Sequence, residues 1–232
     1  MRNKRNIFFV FFLLTALSAN AQCRYCNTYE DFMAGRWEPL DTVYSKKHSK
    51  GRQFWVGGND FTLTTGDKAT DNMLKYHAFA VKQGRRLYVN CRNLEFQKTR
   101  FGKGYAQAMT MGKDTVFFVN KKIGKDVMER QIAFGSMFGA IGTAAAVGSQ
   151  VSQQVCYIIS SSADKRGYYD ICMIDDGLMG RLIAGHDELY DEYFSESDRS
   201  RRLLASHIYP ILKKAGLFKK LKQKTDGAED QE

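Results

Sequence analysis

Between Phe54 and Asn120 the chain repeats one pattern, short runs of aromatic and β-branched residues broken by turn residues. That pattern restricts the stretch to short antiparallel strands joined by hairpins. Phe54-Trp55-Val56 and Phe61-Thr62-Leu63-Thr64 flank Gly57-Gly58-Asn59-Asp60, and Ala78-Phe79-Ala80-Val81 and Leu87-Tyr88-Val89-Asn90 flank Gln83-Gly84-Arg85. A third hairpin is expected from Tyr105 to Met111 and Thr115 to Asn120 around Gly112-Lys113-Asp114, giving a meander of about six strands. Val155 to Ser160 and Tyr168 to Ile174 read as one more hairpin across Asp164-Lys165-Arg166-Gly167.

Helical signals lie at the two ends. Asn27 is placed to cap a short helix that holds Glu30 and stops before Gly35. Near the C-terminus, Ser197 and Asp198 can open a helix in which Leu204, Ile208, Ile211 and Leu212 recur at helical spacing up to Gly216, with Pro210 kinking or dividing it. Neither linker composition nor an internal repeat divides the chain. The expected architecture is α+β: an antiparallel meander or partly closed barrel with C-terminal helices, in one domain over residues 22–218, followed by a charged tail at 219–232.

One segment stands apart, because no charged residue occurs between Arg130 and Asp164. As a helix, residues 132–148 place Gly135, Gly139, Gly142 and Ala146 on one narrow stripe, a pattern that lets another element approach closely. The stripe is expected to pack against the sheet; membrane association and an oligomer contact are the other readings, although about 17 residues rich in Gly, Ser and Thr insert weakly.

The N-terminus reads as a secretory signal peptide, residues 1–21: Arg2, Lys4 and Arg5, an apolar run from Ile7 to Leu17, then Ala19-Asn20-Ala21. Cleavage leaves Gln22 first and places the protein in the periplasm or cell envelope. It also lowers the formal charge from +10 to about +7. The bases are spread along the chain, so they carry no specific nucleic-acid signal.

An exported chain can keep disulfides, and the five cysteines Cys23, Cys26, Cys91, Cys156 and Cys172 are the candidates. Cys156 with Cys172, or Cys91 with Cys23 or Cys26, are the expected pairs. Cys23-Arg24-Tyr25-Cys26 has the spacing of redox sites, but it lacks the preceding strand of such folds.

Catalytic and metal signatures are weak. His48, His77, His186 and His207 are far apart in sequence, and neither a nucleophile elbow nor a phosphate loop occurs. Asp175-Asp176-Gly177 follows a predicted strand, and the simplest reading is a turn in which Asp176 caps the next helix. No catalytic residue, metal or cofactor is assigned.

Cys23-Arg24-Tyr25-Cys26-Asn27-Thr28-Tyr29-Glu30-Asp31-Phe32, Leu63-Thr64-Thr65-Gly66-Asp67-Lys68, Ala78-Phe79-Ala80-Val81 and Leu87-Tyr88-Val89-Asn90-Cys91-Arg92-Asn93-Leu94 together resemble an uncharacterised family of exported Bacteroidota proteins. So do Gln154-Val155-Cys156-Tyr157 and Leu204-Ala205-Ser206-His207. The resemblance implies envelope localisation and carries over no catalytic residue. A non-enzymatic binding or structural protein follows as the expected function, its partner an envelope protein or a glycan. The aromatic residues Trp55, Phe61, Tyr76 and Tyr88 either fill its core or face that partner. The competing reading is a hydrolase or lyase that assembles Asp175, Asp176 and His186 from separate parts of the chain.

Overall fold

The computed structural model describes residues 23–49, 52–53, 59–123 and 154–218. The expected signal peptide, Phe54-Trp55-Val56, the stripe at 132–148 and the tail at 219–232 lie outside the described residues.

The chain opens with β1 (Cys23–Cys26), α1 (Tyr29–Met33), β2 (Glu38–Leu40), β3 (Tyr44–Lys47) and β4 (Phe61–Thr64). Next come α2 (Lys68–Tyr76), β5 (Ala80–Gln83) and β6 (Arg86–Asn90), then β7 (Leu94–Phe96), β8 (Thr99–Arg100), β9 (Tyr105–Met111) and β10 (Thr115–Lys121). The C-terminal part carries β11 (Gln154–Ile159), β12 (Tyr169–Asp170), β13 (Cys172–Met173), α3 (Asp176–Leu182), α4 (Asp187–Ser195), α5 (Arg199–Arg202) and α6 (Ala205–Lys214). Ten strands make one sheet in the order β13-β11-β10-β9-β6-β5-β1-β2, with the β3–β4 ribbon attached to β9. β7, β8 and β12 form a small second sheet, in which β12 and β7 run parallel.

Four strands of the expected meander, β5, β6, β9 and β10, are neighbours in chain order, and β11 and β13 continue the run, but β4, expected beside β5, pairs instead with β3 and β9 across α2. Two of its turns depend on glycines in the left-handed region, Gly84 at φ +57° and Gly112 at φ +61°, which a side chain would strain. The sheet is not a closed barrel. β2 and β3 follow one another in sequence but form no ladder with each other, so the sheet stays open between them.

Three departures from the sequence reading have local causes. α2 interrupts a region read as strands. Asp67 caps it by accepting from Thr70 N, while the Asp71 carboxylate accepts from Thr65 N at 2.6 Å and Thr65 Oγ1 at 2.9 Å. The first helix is capped by Thr28, not Asn27. The C-terminal helix breaks at Leu203-Leu204, where Leu204 bridges Val155 on the sheet, and α6 then runs unbroken through the exposed Pro210.

Strand alternation sorts the core into layers. On one face Cys26, Leu87, Val89, Ala106, Ala108, Phe118 and Tyr157 belong to a single continuous cluster. The other face carries two separate clusters. Cys23, Leu63, Leu74, Val81, Tyr88 and Tyr105 pack under α2 and the β3–β4 ribbon, whereas Phe117, Cys156, Ile158 and Ile174 pack under α3, α4 and α6. Phe61 and Tyr88 meet edge to face at 5.2 Å inside the first of these, so both are core aromatics.

No disulfide joins any of the five cysteines, contrary to the pairings expected above. Antiparallel registration sets Ile158 opposite Cys172, and Ile174 N donates to Cys156 O, so Cys156 and Cys172 miss each other by two residues. That diagonal offset, about 7–8 Å, exceeds what a disulfide spans. Between Cys26 and Cys91 lies the whole of β5, which separates β1 from β6 by about 9–10 Å. Cys23 lies on the opposite face of β1 from Cys26, because three residues along a strand reverse the side-chain direction. For the same reason the C-x-x-C spacing cannot operate as a dithiol here. Burial pushes the Cys26 thiol up to about 12 and raises those of Cys91 and Cys156 as well, which keeps them protonated and inert.

Candidate functional site

A cleft lies between the two clusters on the second face. β9 crosses from one cluster to the other: Tyr105 is buried in the first and Met111 in the second, with Gln107 and Met109 between them on the same face. Those two residues, with Phe117 and Val119 of β10, floor a cleft of about 260 Å³. Lys47, Asp60 and Phe61 wall one side, and Gln154 and Tyr209 wall the other.

The walls are held by contacts beneath them. Tyr209 stacks on Phe117, with ring centroids 6.1 Å apart and planes at 27°, and its hydroxyl lies 3.8 Å from Met109 Sδ. Asp60 accepts from Gln53 Nε2 at 2.9 Å, and His48 bridges the same corner, its Nδ1 3.0 Å from Asn59 O and its Nε2 3.1 Å from Thr62 Oγ1. The lining therefore presents amides, aromatic faces and one charge of each sign. Such a surface suits hydrogen bonding and stacking with a ligand.

The residues weighed for catalysis have other positions. Asp175, not Asp176, is the helix cap and accepts from Leu178 N at 2.8 Å. Asp176 sits one residue inside α3, where Arg202 grips it with Nε–Oδ1 at 2.8 Å and Nη2–Oδ2 at 3.0 Å while Tyr193 Oη donates to Oδ1 at 2.9 Å. The Arg202 hydrogen bonds hold the Asp176 carboxyl down at about 2. Its role is to tie α3, α4 and α5 together. His186 is exposed at the start of α4 with no side-chain capping bond, and His207 contacts Tyr193 O at 3.0 Å. None of Asp175, Asp176 and His186 lines the cleft.

Of the aromatic residues singled out in the sequence, Trp55 lies outside the described residues, and among the described ones Phe61 reaches the cleft while Tyr88 is buried and Tyr76 is exposed elsewhere. Lys47, Asp60, Gln107, Gln154 and Tyr209 carry no linear signature. The one available hint is Gln107, an exposed polar residue on a strand face that is otherwise Tyr105, Met109 and Met111.

No curated protein and no solved structure matches the chain. Residues 24–219 match the model of a family of unknown function, DUF6563, and the chain belongs to that family.

Proposed function

We propose that this chain is an exported, non-catalytic binding protein of the cell envelope that takes a saccharide unit in the cleft between β9, β10 and α6. The cleft lining carries the reading: it brings together the amides of Gln107 and Gln154 and the aromatic side chains of Phe61 and Tyr209. Amides supply paired donors and acceptors for hydroxyl groups, while ring faces take the apolar face of a sugar.

A panel of neutral malto-, cello- and chito-oligosaccharides, titrated into the protein and followed by NMR, tests the cleft. At least one is expected to shift resonances of β9 and α6. Gln107→Ala removes an exposed side chain, so it should weaken that binding roughly five- to tenfold without moving the unfolding midpoint. Binding that Gln107→Ala leaves unchanged, or no binding across the panel, overturns the cleft assignment.

Export is supported by the basic, apolar and small-residue order of residues 1–21. Cys23 is only 4% exposed and belongs to the cluster of Val43, Leu63 and Leu74, a burial that acylation of its sulfur would disrupt. Intact-mass analysis of protein from an envelope fraction should therefore give a chain beginning at Gln22. Retention of residues 1–21, or a diacylglyceryl mass on Cys23, contradicts this.

A further inference from the structure

Away from the cleft, at the C-terminal end of α2, Arg92 of the turn after β6 meets the exposed Lys75 and Tyr76 of α2, and the exposed Lys103 of the loop before β9 adds its positive charge. We propose that this patch is a binding site for a phosphoryl group.

Tyr76 is the organising element. Its ring is 43% exposed, and cations cover it: the Arg92 guanidinium carbon lies 4.4 Å from the ring centroid and Lys75 Nζ 4.7 Å. Each cation gains from the electron-rich face, which lets two like charges be held close together. The same charges act on the hydroxyl. Lys75, by hydrogen bonding and by charge, and then Arg92 and Lys103 hold the Tyr76 phenol below its usual value.

The frame behind the patch is rigid. Asn90 is buried, and its Nδ2 donates to Leu74 O at 3.1 Å and Ala78 O at 2.9 Å at the end of α2. Its Oδ1 accepts from Arg92 N at 3.1 Å, so one side chain fixes the Arg92 turn against the helix carrying Lys75 and Tyr76. On the other side Asn59 anchors the Lys103 loop by donating to Lys103 O at 3.0 Å.

Among the described residues none of Lys75, Arg92 and Lys103 is ion-paired, although most other close arginines here engage a carboxylate. The Arg92 Nε is buried without a hydrogen-bond partner. Lys75 and Arg92, without a carboxylate partner among the described residues, lie over one exposed tyrosine ring, and buried Asn90 and Asn59 fix the backbone that carries Arg92 and Lys103, an arrangement suited to an anion. Arginine and lysine together favour a tetrahedral phosphoryl group, whose oxygens accept from several donors at once.

The group can belong to a phospholipid surface or to a soluble phosphate ester, and two arms separate them. In the first, the full mature chain is sedimented with phosphatidylglycerol vesicles and with phosphatidylcholine vesicles. In the second, inorganic phosphate is titrated while the ionisation of Tyr76 is followed by ultraviolet absorbance, with Tyr76→Phe identifying its signal.

An occupied site restores the Tyr76 ionisation toward its ordinary range, because the anion neutralises the cations around it. Lys75→Gln with Arg92→Gln should weaken binding in whichever arm responds by about tenfold or more. The charge-matched control Arg85→Gln with Arg86→Gln, at the exposed β5–β6 turn, should bind as the parent does. Response in the vesicle arm alone assigns a lipid surface, and response to inorganic phosphate assigns a soluble ester. Equal weakening by both double variants, or no response in either arm, overturns the site and reduces the effect to net charge.

Discussion

Asn59→Ala is expected to lower the unfolding free energy by about 3–5 kcal/mol, the largest effect of any single polar substitution foreseen for this protein. Asn59 is fully buried, and its Nδ2 donates to the carbonyl oxygens of Phe101, Gly102 and Lys103 at 3.1, 3.2 and 3.0 Å. Its Oδ1 accepts from the equally buried Asn120 Nδ2 at 2.9 Å. Alanine removes both halves of the amide: Phe101 O, Gly102 O and Asn120 Nδ2 lose this partner, while Lys103 O keeps the backbone N–H of residue 59 at 2.8 Å. Each orphaned polar group costs about 1–3 kcal/mol, more than the net value of the bond it made.

The geometry leaves little room for adjustment. Gly104 follows at φ +100°, and a Cβ there would come within 2.8 Å of Phe61 O, so the loop is already pressed against β4. Urea unfolding should show the loss as a lower midpoint with unchanged slope. Asn59→Asp should do no better, since it aims an oxygen at three oxygens. A loss below about 1 kcal/mol for Asn59→Ala would mean that water or a shifted loop replaces the amide.

Arg202→Ala comes next, with an expected loss of about 2 kcal/mol at neutral pH and a changed response to acid. Arg202 grips Asp176 with two bonds, donates to Glu196 O at 2.8 Å and lies 5.3 Å from the Phe194 ring, joining α3, α4 and α5 at one point.

The direction with pH follows from Asp176, whose carboxyl is depressed to about 2 chiefly by the Arg202 hydrogen bonds. A depressed carboxyl stabilises the fold above its unfolded value, about 3.9, and that contribution disappears as pH falls through the folded value. The side chain is 23% exposed, so solvent screening reduces the contribution to about 1–2 kcal/mol. The parent should therefore lose this amount between about pH 4 and pH 2, and Arg202→Ala should lose much less of it there. Arg199, at 3.2 Å from Asp176 Oδ2 but highly exposed, preserves only a small part. Stability measured across that window decides the matter, and identical acid limbs for parent and variant would remove Asp176 as the coupled group.

The strands that alternation made legible were those with a dense apolar face and a glycine turn. β5, β6, β9 and β10 pair as their spacing predicts, because Gly84 and Gly112 set the turns and Leu87, Val89, Ala106, Phe117 and Phe118 each have a core to enter. β3 and α2 gave no such signal. Tyr44-Ser45-Lys46-Lys47 is a ribbon with no buried residue, and α2 buries only Leu74, so both are organised by the neighbours they cover.

The cysteines and the cleft show the same division. From sequence, five thiols in an exported chain argue for disulfides, but pairing depends on register and on strand order, quantities set by contacts far along the chain. One inserted strand, β5, and a two-residue offset between β11 and β13 were enough to part the expected partners. The cleft lies where two hydrophobic clusters on one sheet face adjoin, with Gln107 exposed and Met109 half-buried between them.

Local sequence determined that β5, β6, β9, β10 and β11 become strands, where the β5–β6 and β9–β10 turns fall and that helices end the described chain, since propensity, alternation and glycine φ act over a few residues. Tertiary structure alone decided the sheet order, the fate of the thiols, the Asp176–Arg202 clamp, the cleft and the basic patch. Each of these joins side chains distant in sequence, and their separations are set by how whole elements pack rather than by any one segment.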